Sequence, residues 1–271
     1  HLSDGRFIMG VGPGGLLSDF ELFGVMDKDR MEMMEEALDQ ILELWSTKPP
    51  YKLHGKHWTI EMKDWTHHDI KLGYVAKPLQ QPHPPIAISA MSPASGSLKF
   101  AGRRGYIPVT ANFIATWSAK THWPAYCDGA NEGGQTPDVE AWHVARSIFV
   151  ADTDEEAAAF VAAGDSSYTY YYEYLFTIFD RADFKGPFVA NQDDDPAELS
   201  ANKVRDACVI HGSPESVARK LLALREEIGH FGTLLYAAHD WQDKAAMKKS
   251  MRLMAEEVMP RVNQTLGAKA A

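Results

Sequence analysis

Apolar runs without polar alternation recur along this chain of 271 residues. They occupy 7–12, 85–90, 106–110, 144–150 and 233–238. Between and after these runs, apolar residues recur at helical spacing. The helical segments are 28–45, 98–104, 116–129, 154–163, 215–228 and 244–259. Strands without polar alternation are covered on both faces, and strands that alternate with helices pair in parallel, so the pattern predicts βαβ units and an α/β fold.

Two architectures are built from such units, and the chain offers about five of them. A (β/α)₈ barrel takes ~250 residues for eight units. Here many residues lie in the excursion 51–73, which is expected to contain a small hairpin, and in the long segment 167–208. A barrel would therefore lack about three units. An open doubly wound sheet would lack none, but its GxGxxG fingerprint is matched only in part at 10–15, where Pro13 argues against it.

Composition excludes several classes of protein. Lys and Arg number 27 against 37 Asp and Glu, a formal net charge of −10, which argues against a nucleic-acid binder. No window approaches the ~18 apolar residues that cross a bilayer, and residues 1–6 lack the apolar stretch of a signal peptide. A cytoplasmic protein without membrane contact is expected. Cys127 and Cys208 lack the spacing of metal ligands or of a disulfide framework, so no metal site is predicted.

Several motifs recur in the order of a known family. They are LSDGRFIMGVGPG at 2–14, DFELFG at 19–24, SAMSPASGSLKFAGRRG at 89–105, IFVADTDEEA at 148–157 and GSPESV at 212–217. Together they resemble the luciferase-like flavin-dependent monooxygenases over nearly the whole chain. With AHD at 238–240, the sequence is most similar to the terpene-oxidising members, the diketocamphane and limonene monooxygenases.

The resemblance implies a TIM (β/α)₈ barrel as a single domain over 1–271. About three βα units of the family would precede His1, roughly ninety residues at ~30 per unit, and they are expected to be absent from this chain. The excursion 51–73 and a lid-like insertion, 167–208, interrupt the barrel. Barrel active sites lie at the carboxyl ends of the strands, where this sequence has its unusual loops.

The resemblance also implies a chemistry and its partners. Reduced FMN, supplied by a separate flavin reductase, would react with O₂ to oxygenate a small apolar substrate such as a cyclic ketone or a terpene. A homodimer is one allowed assembly. Two alternatives stay open: a deazaflavin-dependent oxidoreductase of the same fold, and a non-catalytic flavin-binding barrel or inactive fragment.

The family uses the loop after the first visible strand against the flavin, and the matching residues here are Gly12, Gly14 and Asp19. Glycine lets the backbone approach a flat ring closely. Asp19 is a candidate catalytic residue that orients the flavin, and its alternative role is a local turn. Pro13 stands where the bacterial luciferases carry an arginine that helps to bind phosphate.

A second cofactor-binding segment is expected between the strand 85–90 and the next helix. Its residues are Met91, Ser92, Ser95, Gly96 and Ser97. Hydroxyls and free backbone N–H groups at a helix start can hold a phosphate, which is where the family binds it. The alternative is that one serine caps the helix. At 212–215 a second serine, Ser213, precedes Pro214 and is expected to be a structural cap.

His239 ends the last strand and is the other candidate catalytic residue, as a hydrogen-bond donor to an oxygen of the activated flavin or of the substrate. Its alternative is a surface loop histidine. Aromatic residues are candidates for an apolar substrate pocket. They are Phe113, Trp117, Tyr171 and Phe176. The last two belong to the tyrosine-rich start of 167–208, which predicts either a lid over the pocket or an aromatic core helix.

Overall fold

The computed structural model describes residues 1–270, and the side chains as far as Gly267. It divides into two compact units, His1–Ile88 and Ser89–Ala271. Among the described residues, none of the helices combines the length and apolar character that a bilayer crossing requires.

The first unit holds a short strand, two helices and a hairpin. In chain order these are β1 (Met9–Val11), α1 (Leu17–Leu22), α2 (Arg30–Ser46), β2 (Lys52–His54) and β3 (Thr59–Glu61). β1 pairs in parallel with residues 86–88 of β4 (Ile86–Ala90), which runs across the boundary of the units. β2 and β3 pair antiparallel. The helix α2 begins where Asp29 accepts the N–H of Glu32, and it ends before Pro49, which cannot continue a helical ladder.

The second unit alternates strands and helices. In chain order these are α3 (Gly96–Arg104), β5 (Ile107–Thr110), α4 (Thr116–Lys120), α5 (His122–Glu132), β6 (His143–Val150), α6 (Asp154–Ala162), α7 (Ser167–Arg181), α8 (Ala201–Cys208), β7 (Val209–Gly212), α9 (Pro214–Ile228), β8 (Thr233–Ala237), α10 (Lys244–Leu253) and α11 (Met259–Ala270). The pairings of β6 with β5, β7 and β8 are all parallel. The predicted α/β class is confirmed.

The strand β6 organises the core of this unit. Its residues 143–147 pair with β8, and 147–150 pair with β7. Because successive side chains of a strand point to opposite faces, Ile148 and Val150 pack with α9 and the C-terminal helices, whereas Phe149 packs with α6 and α7. On another side of the unit, α3 and α5 cross backbone to backbone. A Cβ on Gly129 would lie 1.9 Å from the carbonyl oxygen of Lys99, so this crossing requires glycine.

Several local expectations are corrected by the structure. Strand β7 was not predicted, because it follows α8 without an intervening turn residue. The predicted helical segment 244–259 does not end the helical region, because a π-helical turn, Met254–Val258, leads into α11. Pro260 lies in the first turn of α11, where it needs no N–H partner. The segment 116–129 is two helices that meet at Thr121. The cap of α6 is Thr153, whose side chain accepts the N–H of Glu156.

Candidate functional site

Polar side chains meet at the carboxyl ends of β5 and β8, beside the middle of β6. Asn112 lies two residues after β5, and His239 lies two residues after β8. Ser147, which pairs with the last residue of β8, lies between them on β6. Because parallel strands end at a common edge, these side chains converge there, where α/β folds place their binding sites.

The hydroxyl of Ser147 is the centre of this arrangement. Its Oγ lies 2.9 Å from Nδ2 of Asn112, 3.1 Å from the hydroxyl of Tyr172 on α7, and 3.0 Å from Nε2 of His239. Ser147 and Tyr172 are fully buried. We call Asn112, Ser147, Tyr172 and His239 the Ser147 cluster.

Two tyrosines of α7 pack on the imidazole of His239. The ring centres of Tyr168 and Tyr171 lie 4.6 and 4.5 Å from that of His239. Tyr168 donates its O–H to the carbonyl of Ile148, and Tyr171 donates to Oδ1 of Asn112 over a longer distance, 3.4 Å. Burial lowers the pKa of His239 to about 4, against the opposing effect of the neighbouring Asp240 carboxylate. The imidazole is therefore neutral near pH 7.

Most of the residues predicted for the substrate pocket lie in one hydrophobic cluster of the second unit. Phe113, Tyr171 and Phe176 are partly buried and pack against this cluster, as does Met91 of the predicted cofactor-binding segment. Trp117 is placed differently, since its indole N–H donates to the carbonyl of Val189 at 2.8 Å.

The helix α7 has the aromatic core face that its sequence suggested, and it also has an exposed face. Tyr168, Tyr172 and Phe179 are buried core residues, and the first two lie beside His239. Tyr170 and Tyr174 are exposed and stack on each other with ring centres 6.2 Å apart. One face of α7 thus covers the Ser147 cluster while the opposite face meets solvent.

The start of α3 has the features that a phosphate group needs. Ser95 precedes the helix, but its side chain makes no capping hydrogen bond, unlike Ser213, which accepts the N–H of Ser216. A Cβ on Gly96 would meet no atom within 4 Å, so the space over the first turn is open. The first turn carries no acidic side chain. Backbone N–H groups in such a position attract an anion, so these residues fit the phosphate of FMN.

Ser92, in the preceding loop, has a structural contact. Its carbonyl oxygen lies 3.0 Å from Nε2 of His122, the first residue of α5. The N–H of Ala94 donates to Oγ1 of Thr121 at 2.7 Å. These two bonds fix the loop 91–95 to α5.

The glycine loop of the first unit lines a cavity within that unit. Gly12, Gly14 and Asp19 border a space of about 420 Å³ together with Phe20 and Arg30. Gly14 has a φ of +82°, which side chains rarely adopt, and a Cβ there would lie 3.0 Å from the ring of Phe20. Asp19 lies in the first turn of α1. The three residues thus share one cavity, and their role toward a flavin stays a prediction.

Sequence reasoning missed three members of the Ser147 cluster. Ser147 is a small polar residue in the middle of β6, and Asn112 follows β5, which pairs with β6, at its carboxyl end. The position of Asn112 was a usable signal, because side chains at the carboxyl ends of parallel strands form binding sites. Tyr172 offered no such signal, since it is one of several tyrosines in a row.

Comparison with known proteins gives consistent matches. A family model described as luciferase-like monooxygenase matches residues 1–230. The 3,6-diketocamphane 1,6-monooxygenase of Pseudomonas putida is 30% identical over 97% of this chain and 73% of its own length. The limonene 1,2-monooxygenase of Rhodococcus erythropolis is 31% identical over 99% of this chain and 64% of its own length.

A solved structure is similar over the same extent. It is the oxygenating constituent of 3,6-diketocamphane monooxygenase from Pseudomonas putida, a type II Baeyer-Villiger monooxygenase in complex with FMN. The two structures superpose with a TM-score of 0.80 at 30% identity, covering 96% of this chain and 72% of the other.

Proposed function

The chain belongs to the luciferase-like monooxygenase family, and on this premise we propose that it is the oxygenating component of a two-component, FMN-dependent monooxygenase for a small cyclic ketone or terpene. The observation that carries the proposal is the Ser147 cluster, a buried polar group under the aromatic face of α7 at the carboxyl ends of parallel strands. Such a group in apolar surroundings can orient an apolar ligand that has a single polar atom.

FMN would be held in part by the start of α3. Ser95 would offer its hydroxyl, and Gly96 and Ser97 their backbone N–H groups, to the phosphate. Reduced FMN supplies the two electrons with which one atom of O₂ enters the substrate and the other leaves as water.

His239 would act as a neutral hydrogen-bond donor to an oxygen of the ligand. Its lowered pKa keeps it uncharged near pH 7, so it can donate without placing a charge in the apolar site. Tyr168 and Tyr171 would keep water away from its ring on the α7 side.

An apolar wall would receive the substrate. It consists of Met91, Phe113, Tyr171 and Phe176, which share one hydrophobic cluster. The names of the relatives support an apolar cyclic substrate, since two of them act on diketocamphane and limonene. The description of one relative as an oxygenating constituent supports a separate reductase as partner.

Isotope incorporation tests the reaction. The purified chain is mixed with FMN, a flavin reductase, NADH and ¹⁸O₂, and is offered camphor-type ketones and limonene in parallel. We expect one ¹⁸O atom per product molecule, detected by mass spectrometry, and no product when the reductase is left out. Tight deazaflavin binding with hydride transfer and no ¹⁸O would replace the proposal by the dehydrogenase alternative. Binding of neither flavin would favour a non-catalytic protein.

A pair of serine variants tests the phosphate site. Ser95→Ala should weaken FMN binding by about tenfold, because one net hydrogen bond is lost, and should leave the melting temperature nearly unchanged. Ser213→Ala is the matched control, since Ser213 caps α9. It should lower stability by about 1 kcal/mol and leave FMN affinity unchanged. Flavin fluorescence titration and thermal melts measure both quantities.

A further inference from the structure

The hydroxyl of Ser147 cannot act as donor, or as acceptor, toward all of its polar neighbours. A serine hydroxyl has one proton to donate and two lone pairs that accept. Three polar atoms lie within 3.1 Å of Oγ, from Asn112, Tyr172 and His239. Ser147 has no exposed surface, so bulk water takes none of these positions.

Two of the three neighbours donate to it. Nδ2 of Asn112 is an amide NH₂ group and can only donate. The hydroxyl of Tyr172 is buried and must donate its proton, because an unused buried donor is costly. Within residues 1–270, Oγ of Ser147 is the acceptor found for it. Both lone pairs of Ser147 are then in use.

The third hydrogen bond of Ser147 fixes the tautomer of His239. Ser147 has only its proton left, which must go to Nε2 of His239, so Nε2 accepts and carries no proton. A neutral imidazole then carries its proton on Nδ1. In the part of the chain that the structure describes, Nδ1 of His239 makes no hydrogen bond with another residue.

We propose that Ser147 is a positioning residue for oxygenation, which holds His239 in the neutral Nδ1–H form and leaves that N–H free to donate to an oxygen of the bound ligand. The proposal rests on the proposed function. It adds the residue that sets the tautomer, Ser147, and the ring nitrogen that acts, Nδ1. It also adds the chemistry recognised there, since an N–H donor binds a carbonyl or flavin oxygen rather than a donor group. Asn112 and Tyr172 support it by filling the acceptor positions of Ser147.

Nitrogen NMR on the full chain with ¹⁵N-labelled histidine reads the tautomer directly. The signal of His239, identified by its loss in His239→Gln, should show a protonated Nδ1 and an unprotonated Nε2. In Ser147→Ala this signal should move toward the other tautomer, and Ser147→Thr, which keeps a hydroxyl, should restore it. A protonated Nε2 in the wild type, or an unchanged signal in Ser147→Ala, would overturn the proposal.

Kinetics supply the second readout. Ser147→Ala should lower kcat by about tenfold with KM for the ketone within about twofold, and Ser147→Thr should recover most of the loss. The control is Ser250→Ala, which removes another fully buried hydroxyl that contacts the same strand, at the N–H of Val150. It should leave both kcat and the His239 signal unchanged, and an equal loss of kcat in this variant would assign the effect to packing.

The two readouts separate the two proposals. The tautomer is measured without flavin or substrate, so it can be correct in a protein that fails to oxygenate, in which case only the proposed function is wrong. If oxygenation occurs while His239 carries its proton on Nε2, the positioning role of Ser147 is wrong and the function stands.

Discussion

Two histidines of the second unit have similar surroundings and differ in whether both ring nitrogens hydrogen-bond within the protein. His122 and His239 both lie against hydroxyl groups, and burial lowers the pKa of each to about 4. Nε2 of His122 lies 3.0 Å from the carbonyl of Ser92, which can only accept, so this nitrogen carries the proton. Its Nδ1 lies 3.0 Å from Oγ1 of Thr110. Both of its nitrogens are occupied by the protein, whereas His239 keeps Nδ1 free.

The comparison shows that a lowered pKa marks burial rather than function. Perturbed titration is often used to find active sites, but here it is as large for the histidine that fastens a loop as for the one that we assign to the ligand. The two histidines are distinguished by whether a ring nitrogen remains available to hydrogen-bond with a ligand.

The largest effect is expected on the side of His239. His239→Gln should lower kcat for oxygenation by about 100-fold, the usual cost of losing one donor aimed at a reacting oxygen, with a small change in melting temperature. Steady-state product formation and thermal melts measure the two quantities. His68→Gln, which changes an exposed histidine that contacts Tyr74, is the control. Wild-type turnover in His239→Gln would remove His239 from the site.

The opposite pattern is expected for His122. His122→Ala leaves the carbonyl of Ser92 without its donor and opens a cavity in a fully buried position. The free energy of unfolding should fall by about 2–3 kcal/mol, measured by urea denaturation. Below its melting temperature the variant should keep kcat within about threefold. If it instead lost turnover as severely as His239→Gln with unchanged stability, the two histidines would have to exchange roles.

Acid should destabilise the folded protein in part through His122. Its pKa is about 4 in the folded protein and ~6.5 in the unfolded chain, so between these values the unfolded state binds more protons. Stability therefore falls as pH falls from 6.5 toward 4, with a slope for this group approaching 1.4 kcal/mol per pH unit.

The variant His122→Gln isolates this contribution. It should lose about 1–2 kcal/mol less than the wild type between pH 6.5 and 5 in urea denaturation. Parallel stability curves would show that folding does not lower the pKa of His122.

The lowered pKa of His239 predicts that its titration is not seen in the pH profile of kcat. The groups that face its ring are Tyr168, Tyr171, Tyr172 and Asp240. Since His239 is neutral well below pH 6, kcat should show no inflection near pH 6.5.

The sequence predicted the molecule at the level at which its signals are local. Apolar runs located strands such as β4 and β6, and the motifs identified the family, the α/β fold and the monooxygenase class, which are confirmed. FMN is bound in one similar solved structure. Strand β7 escaped because nothing between Cys208 and Val209 signals a boundary. The helix beyond Pro260 was not predicted, because the π-helical turn before it places Pro260 in the first turn of α11, where proline is tolerated.

The candidate site was predictable only in part, for a different reason. His239 follows the last strand by two residues, which is a position that sequence periodicity can locate. The role of Ser147 depends on three atoms that belong to segments 25 to 92 residues away along the chain. No spacing rule connects such residues, because their meeting is set by strand register and by how α7 packs on the sheet. The tautomer of His239 follows from counting these bonds and from nothing in the local sequence.

The smallest effect is expected at Tyr171, which both supports the Ser147 cluster and covers it. Its O–H reaches Asn112 over 3.4 Å, a weak bond, while its ring lies 4.5 Å from that of His239. Tyr171→Phe removes only the bond, so kcat should change by less than about threefold and the His239 tautomer should persist. Tyr171→Ala removes the ring as well, admits water beside the imidazole, and should raise the fraction of reduced flavin that is oxidised without product. Measuring product formed per NADH in both variants separates the two contributions, and a Tyr171→Phe variant as uncoupled as Tyr171→Ala would mean that the hydroxyl, not the aromatic cover, protects the free N–H of His239.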